Sequence, residues 1–380
     1  MDFNLSEEHR MIQEAVRDFA REFVAPRAAE IDRDSIFPIE AFKEAGRRGF
    51  CGFLVPEAYG GSGLGNLALA ISMVEVNRAC ASTGVTLSVH NSLVCGPLGI
   101  HGNEEQKKRW LPRLATGEWM GAYSLSEAPS GSDAAALRCS AVRDGDDWVI
   151  TGTKLWVTSG SHADLFIVFA RTDPDVPRSR GITAFIVEKG APGFRVSRKE
   201  DKLGIRGSST TELVFEDCRV PASHLLGKEN GGFKIALETL DGGRIGIAAQ
   251  ALGIAEACLE ASLRYARERE QFGRPIAEFQ PIQWKLAEMG AKIEGARLLV
   301  HRAAWLKDRG EPHVYEAAVA KLEASRAANY AAREAVQIHG GAGYLVDFPV
   351  ERYFRDARIT EIYEGTTEIQ KLVIARHLLR

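Results

Sequence analysis

"FKIALETLDGGRIGIAAQALGIAEACLEASLRYARERE", residues 233–270, runs without a proline through small and apolar side chains broken by single charges. A helix of that length extends roughly 57 Å, several times the length of an ordinary strand. Two more such stretches follow, "PIQWKLAEMGAKIEGARLLVHRAAWLKDRG" and "EPHVYEAAVAKLEASRAANYAAREAVQIHGG", residues 281–310 and 311–341. Helices this long pack as an antiparallel bundle, and their apolar surplus commonly continues into subunit contacts. Within the first, Gly242, Gly246 and Gly253 fall on one face by their spacing of four and seven. Each costs about 1 kcal/mol against alanine, so something gains from close approach there, either a neighbouring helix or a ligand. Arg244 among them suits an anionic or nucleotide ligand, or is a solvated arginine.

Working outward, the first part of the chain is also helical. "EEHRMIQEAVRDFAREFVAP", residues 7–26, places Met11, Ile12, Ala15, Val16 and Phe19 on one stripe, with Ser6 as N-cap. Helical stretches separated by Gly and Pro continue to about residue 115. Near residue 118 the pattern changes to β: "DWVITGTKLWVTS", "ADLFIVFART" and "STTELVFEDCRVP" are short, β-branched and aromatic, and separated by turn residues. No long helix lies between them, so a parallel βαβ sheet is disfavoured and a compact antiparallel barrel or sandwich is expected. The chain therefore reads as mainly α with a central β domain, divided into a helical domain at 1–117, a β domain at 118–229 and a helical bundle at 230–380.

The composition narrows the function classes. Apolar residues make up 45% of 380, enough for a sizeable core. With 48 basic and 51 acidic residues the formal net charge is -3, so no global field draws the chain to nucleic acid or an anionic membrane. Six widely spaced cysteines form no CxxC pair, against a zinc ribbon or disulfide framework. The early acids of "MDFNLSEEHRMIQEAVRDF" fit neither a secretory nor a transit peptide. No run of about eighteen apolar residues offers a membrane span. A cytoplasmic protein is expected.

The usual motif searches mostly fail. In "GGSGLGN", residues 60–66, Asn66 stands where a dinucleotide fingerprint needs its third glycine, and no βαβ unit surrounds it. There is no GxSxG elbow and no HExxH helix, and the histidines lack ligand spacing, so no metal is expected. Three stretches keep a chemical reading beside a bland one. "SLSEAPSGSDAAAL", residues 124–137, offers amides and hydroxyls to a flat heterocycle or phosphate, or is an ordinary turn. "KLWVTSG", residues 154–160, puts Trp156 and Thr158 on the same side of a strand, to cover a ring or to fill the core. "IYEGTTEIQ", residues 362–370, sets Glu364 beside a glycine and two threonines, as a base or as a surface residue before a helix.

Together, "IYEGTTEIQKLVIAR", "LSEAPSGSD", "AREREQFGRPIAEFQ", "QIHGGAGY" and "LGIRGSSTTELVFEDCRVP" resemble the acyl-CoA dehydrogenases, flavoproteins that desaturate acyl thioesters, and the likeness covers essentially the whole chain. The resemblance implies an N-terminal helical domain, a middle antiparallel β-barrel and a C-terminal four-helix bundle. It implies FAD as cofactor, with Glu364 as the base that takes the α proton while the β hydrogen leaves as hydride to flavin N5. The base needs an apolar pocket to raise its pKa from about 4.3, and Ile362 and Tyr363 are candidate walls.

By the same resemblance Tyr123, Leu125, Ser126, Gly131 and Ser132 line the flavin, Trp156 and Thr158 close over its ring, and Thr366 and Glu368 belong to the cofactor site. Arg269, Phe272, Gln280, Gln337, Gly340 and Gly341 reach the FAD of a neighbouring subunit, which implies a homo-oligomer, a tetramer by family habit. Ser132, Asp241, Arg244 and Gly365 contact the acyl-CoA. An electron-transfer flavoprotein is the implied oxidant.

Two departures matter. Relatives often carry proline directly after the glutamate of the flavin loop, whereas here Ala128 precedes Pro129; Ser124 also stands where a small residue is common. Some branches carry the base on the long helix, but the matching position is Gly243, which leaves Glu364 and favours a short or short-branched acyl substrate. Leu93 and Val94 are candidates for setting pocket depth. The alternatives are an oxidase-type flavoenzyme and a catalytically silent acyl-CoA-binding scaffold.

Overall fold

A computed structural model describes residues 4–380. The first part of the chain is helical: α1 (Glu7–Phe19), α2 (Ala28–Arg33), α3 (Ile39–Arg47), α4 (Gly65–Ala79), α5 (Ala81–Val89), α6 (Gly96–His101) and α7 (Glu104–Ala115). Ser6 caps α1 by accepting from the His9 amide. The buried face of α1 is narrower than the sequence stripe. Val16 and Phe19 are buried, but Met11 is 65% exposed and Ala15 is also exposed. The reason is polar: Gln13 and Arg17 turn inward to donate to the buried Glu75 on α4, so the face rotates away from Met11.

The middle region contains β1 (Gly121–Ser124), β2 (Ser140–Asp144), β3 (Asp147–Thr158), β4 (Leu165–Arg171), β5 (Ile182–Glu188), β6 (Phe194–Lys199), β7 (Thr210–Pro221) and β8 (Leu225–Leu226). Strand order is β6-β7-β3-β2-β4-β5-β8, with β1 alongside β4. Pairing is mostly antiparallel, as expected, but β1 runs parallel to β4 and β2 meets β4 in parallel at Ser140 and Arg171. The whole β2–β3 hairpin intervenes between β1 and β4, long enough for a parallel return.

β4 and β5 are buried on both faces, hence their unbroken apolar runs. Leu165, Ile167 and Phe169 pack with Trp110, Leu111 and Leu114 of α7, while Phe166, Val168 and Ala170 pack with Trp148 and Phe215 inside the sheet. His90 ties the helices to β1. Its Nδ1 accepts from the Gly121 amide (3.1 Å), so its Nε2 carries the proton and donates to the Leu114 carbonyl (3.0 Å). Burial lowers its pKa to about 4 and keeps it neutral.

The last part holds α8 (Gly232–Glu268), the two-residue pair β9 (Glu270–Gln271) and β10 (Arg274–Pro275), then α9 (Gln280–Asp308), α10 (Val314–His339), α11 (Val350–Arg358) and α12 (Thr367–Leu378). α8, α9 and α10 pack on one another, α12 lies on α10, and α4 lies along α8 and α9. The helices of both ends therefore share one core, which joins Phe19, Phe42, Met73 and Val85 to Leu252, Met289, Val300 and Ala328. α8 has a window with mean hydropathy 1.2, but 83% of that window is buried inside the fold. It is the core helix of this body.

The glycine face of α8 is explained by neighbouring helices. A Cβ at Gly246 would lie 2.5 Å from Ser88 Oγ on α5, and one at Gly253 would overlap the Val74 carbonyl of α4. At Gly242 the neighbour is the far end of Lys307 on α9. The β region is fastened to the last helices by Asp356 of α11, which accepts from the Ile205 amide at 2.5 Å. Arg355 next to it pairs with Asp32 at the end of α2 (2.6 Å) and donates to the Leu203 carbonyl (3.3 Å).

Candidate active site

Glu364 sits on the turn between α11 and α12, with φ +51, and Gly365 follows at φ +92. Two consecutive left-handed residues reverse the chain sharply and aim the glutamate inward instead of along the α12 surface. A non-glycine residue in that region is uncommon and associated with constrained sites. The Glu364 Oε2 atom is buried and has no hydrogen-bond partner among the described residues. Burial raises the carboxyl pKa from 4.5 to about 7, opposed by Lys321 and Arg244. Facing it is Gly243 of α8, where a Cβ would overlap Glu364 Oε2 and lie 2.8 Å from Leu93 Cδ2. Gly243 is thus the gap that admits the carboxylate. Burial, with the Glu364 charge nearby, pushes the Tyr123 phenol of β1 well above its ordinary range and keeps it protonated.

The pocket walls differ in part from the sequence expectation. Ile362 is 46% exposed, because the left-handed turn after it directs its neighbour inward and leaves it outside. Tyr363 is half-buried and donates to Gln250 Oε1 on α8. Leu93 lies beside the glutamate, whereas Val94 packs against Gly121 at the start of β1. Arg244 is not a solvated arginine: it is buried and pairs with Asp241 at 2.5 Å, and its Nε has no partner.

The loop 125–139 is held from below. Lys154 of β3 is wholly buried, bonds Glu127 at 2.7 Å and donates to the Leu125 carbonyl at 3.1 Å. Glu127 accepts in turn from the Arg138 and Cys139 amides. Glu127 and Ser130 exchange backbone bonds, so Ala128 and Pro129 form the tip of a two-residue turn. The displaced proline is absorbed at that exposed tip. Leu125 is buried, Ser126 half-buried, and Gly131 and Ser132 exposed, with open space where a Gly131 Cβ would be.

Trp156 lies where the β3–β7 register breaks between Lys154 and Val157, so simple alternation with Thr158 fails there. Its φ is +59 and its indole is 55% exposed, which is inconsistent with a core role. Thr366 is the N-cap of α12, accepting from the Ile369 amide, and Glu368 is exposed in its first turn.

A second set lies far away. Arg269 ends α8, followed by Phe272, 94% exposed with φ +53, and Gln280 at the start of α9. Gln337, Gly340 and Gly341 close α10, are exposed, and leave open space around both glycines. From Gly243 to Arg269 the helix advances about 39 Å. Arg269 therefore lies remote from Glu364 within one chain, and Phe272, Gln337, Gly340 and Gly341 are exposed. A separate cleft of about 480 Å³, lined by Arg17, Glu75, Arg78, Glu256 and Arg297, is occupied by its own ion pairs and is not the glutamate's pocket.

Sequence reasoning missed Lys321 and Gln370. Both are fully buried and both donate to the Gly365 carbonyl, at 2.6 and 2.8 Å. The available signal was a lone lysine in the alanine-rich run "EAAVAKLEAS" of α10.

Three family models match in order: acyl-CoA dehydrogenase N-terminal domain over residues 6–118, middle domain over 122–218 and C-terminal domain over 230–379. The chain belongs to the acyl-CoA dehydrogenase family. It is 51% identical over 376 residues to the mitochondrial short-chain specific acyl-CoA dehydrogenase of Mus musculus, covering 99% of this chain and 91% of that one. Butyryl-CoA dehydrogenase from Megasphaera elsdenii superposes with TM-score 0.98 at 45% identity, all of both chains covered. A chain solved in work on the electron transferring flavoprotein of Acidaminococcus fermentans and flavin-based electron bifurcation gives 0.99 at 49%, again over all of both chains.

This acyl-CoA dehydrogenase is an oxidoreductase acting on a CH–CH group, and members of its family are FAD flavoproteins. Its residues fit FAD. Trp156 offers an exposed indole, the pinned loop leaves open space at Gly131, and Glu364 Oε2 and Ser124 Oγ are buried without a partner among the described residues, which is the aromatic and polar chemistry a flavin needs.

Proposed function

We propose that this chain removes the α proton of a short or short-branched acyl-CoA thioester with Glu364, yielding the trans-2-enoyl-CoA. FAD, when bound, would supply the two-electron acceptor for the β hydrogen leaving as hydride. The reading is carried by one observation: Glu364 Oε2 is buried, unpartnered and aimed at the gap left by Gly243. A carboxyl raised to about 7 by burial is poised near working pH, where a base is most useful. The turn at Glu364 and Gly365 fixes the direction of attack, and Leu93 and Tyr123 exclude water from the carboxyl. Arg244, held by Asp241, keeps a buried cation with a free Nε beside the site and suits the acyl-CoA's polar arm.

Trp156, Thr158, Leu125, Ser126 and Ser132 would hold the isoalloxazine, and Thr366 and Glu368 its polar surroundings. Arg269, Phe272, Gln280, Gln337, Gly340 and Gly341 would complete the cofactor site of a neighbouring copy, in a homotetramer. The short acyl chain is supported by the short-chain and butyryl-CoA relatives. An electron-transfer flavoprotein is the proposed oxidant.

The test is product analysis with butyryl-CoA and an artificial acceptor. Wild type should form crotonyl-CoA, and Glu364→Gln should remain a yellow, folded oligomer with at least about a hundredfold less turnover. Near-normal turnover in that variant would remove Glu364 from the mechanism.

A further inference from the structure

Gly365 follows the base, and its carbonyl is among the most firmly held in the site. Lys321 Nζ donates to it from α10 at 2.6 Å, and Gln370 Nε2 donates from α12 at 2.8 Å. A Cβ on Gly365 would lie 2.6 Å from Gln370 Nε2, so the residue has no freedom to swing. Gly365 adopts its positive φ freely, but the positive φ at Glu364 needs such anchoring, because a residue with a side chain does not favour it.

Among the described residues Lys321 makes no hydrogen bond to a carboxylate; it donates to that carbonyl. A wholly buried ammonium is costly unless a negative charge compensates it. The charges that face it are Glu364, Glu361 and Glu368, with Arg244 of α8 opposing, and Glu364 dominates. Around Glu364 itself stand Lys321 from α10, Arg244 from α8 with its partner Asp241, Tyr123 from β1 and the adjacent Tyr363.

We propose that Lys321 is a positioning residue for the base: its buried ammonium clamps the Gly365 carbonyl, so holding the Glu364 turn in its inward form, and its charge favours the carboxylate over the acid. The proposal rests on Glu364 being the base, and it separates two tasks that Gln370 and Lys321 share only in part. Gln370 contributes a neutral donor, while Lys321 contributes a donor and a charge. Arg244, tied to Asp241, is the weaker of the two cations acting on Glu364.

The experiment uses the FAD-loaded enzyme and an infrared titration of the carboxyl C=O stretch, isolating Glu364 as the band absent from Glu364→Gln. Removing a facing charge raises a buried carboxyl's midpoint by about one pH unit or more. Lys321→Met should shift the Glu364 midpoint upward by that amount, with the acid limb of kcat moving alongside. Lys321→Gln keeps a donor for the carbonyl and should give the same shift, which covers misfolding of the methionine variant. Gln370→Met should lower kcat without moving the midpoint. An unchanged midpoint in both lysine variants overturns the proposal, as does an equal shift in Gln370→Met. Because the infrared midpoint is read without turnover, failure here is distinct from failure of Glu364 as base, which the activity of Glu364→Gln decides.

Discussion

At the residue scale, the proposed base Glu364 is held at a thermodynamic cost to the fold, and that cost is measurable. The folded-state pKa of Glu364 is raised from 4.5 to about 7. Between those values the native chain keeps a proton that the unfolded chain has released. Stability therefore falls as pH rises through that window and stays lower above it. Glu364→Gln, which is always neutral, should gain about 3 kcal/mol over wild type at pH 8, and the gain should fade as pH is lowered toward the ordinary carboxylate range. Denaturant unfolding at several pH values checks this; a gain independent of pH contradicts it. Lys154 shows the opposite case, a buried pair worth keeping. Lys154→Met leaves Glu127 buried without its cation and should cost about 3–5 kcal/mol, with weaker FAD retention read by flavin absorbance. Glu364 was legible in the sequence only through the matched segments around it, because a carboxylate before a helix is ordinarily a surface residue. Lys321 stood out only as a lone lysine in an alanine-rich run: its importance comes from α10 and the α11–α12 turn meeting across 43 positions of chain, which no local pattern encodes.

At the scale of elements, α8 divides its glycines between packing and chemistry. Gly253→Ala drives a methyl into the backbone of α4 and should destabilise by about 1–3 kcal/mol. Gly242→Ala meets only the flexible end of Lys307 and should be neutral or up to about 1 kcal/mol stabilising through helix propensity. Gly243→Ala meets Glu364 itself, so it should lower turnover more than stability. Thermal unfolding beside steady-state kinetics separates the three. The spacing of Gly242, Gly246 and Gly253 correctly marked a face of close approach, and two of the three serve helix packing. Gly243 lies off that face and found its meaning only from a known family position. The long helices and the β segments were readable because their periods are sustained, whereas the β1–β4 parallel pairing was not, since it depends on where a hairpin is inserted. The α1 stripe misled for a related reason: Glu75 pulls polar Gln13 and Arg17 inward, and tertiary polarity outranks hydrophobic spacing.

For the whole molecule, three chain regions converge on α11, which leads into the Glu364 turn. Arg355 joins Asp32 and Glu351 and reaches the Leu203 carbonyl, and Asp356 accepts from Ile205. Arg355→Met should cost about 3 kcal/mol by stranding Asp32 and Glu351, and should loosen the base turn enough to lower kcat; calorimetry with kinetics tests both. The distal set from Arg269 to Gly341 gives the assembly its proposed reason. With Phe272 almost wholly exposed, light scattering should return about four times 41.6 kDa, and Phe272→Asp should lower that mass together with FAD content. The most direct test of the central claim is the rate at which butyryl-CoA bleaches the bound flavin under anaerobic stopped flow, in wild type and in Glu364→Gln. Rapid bleaching in wild type and a rate at least about a hundredfold lower in the variant is the expected result. Equal rates in the two proteins would show that the buried carboxylate of the α11–α12 turn does not take the proton.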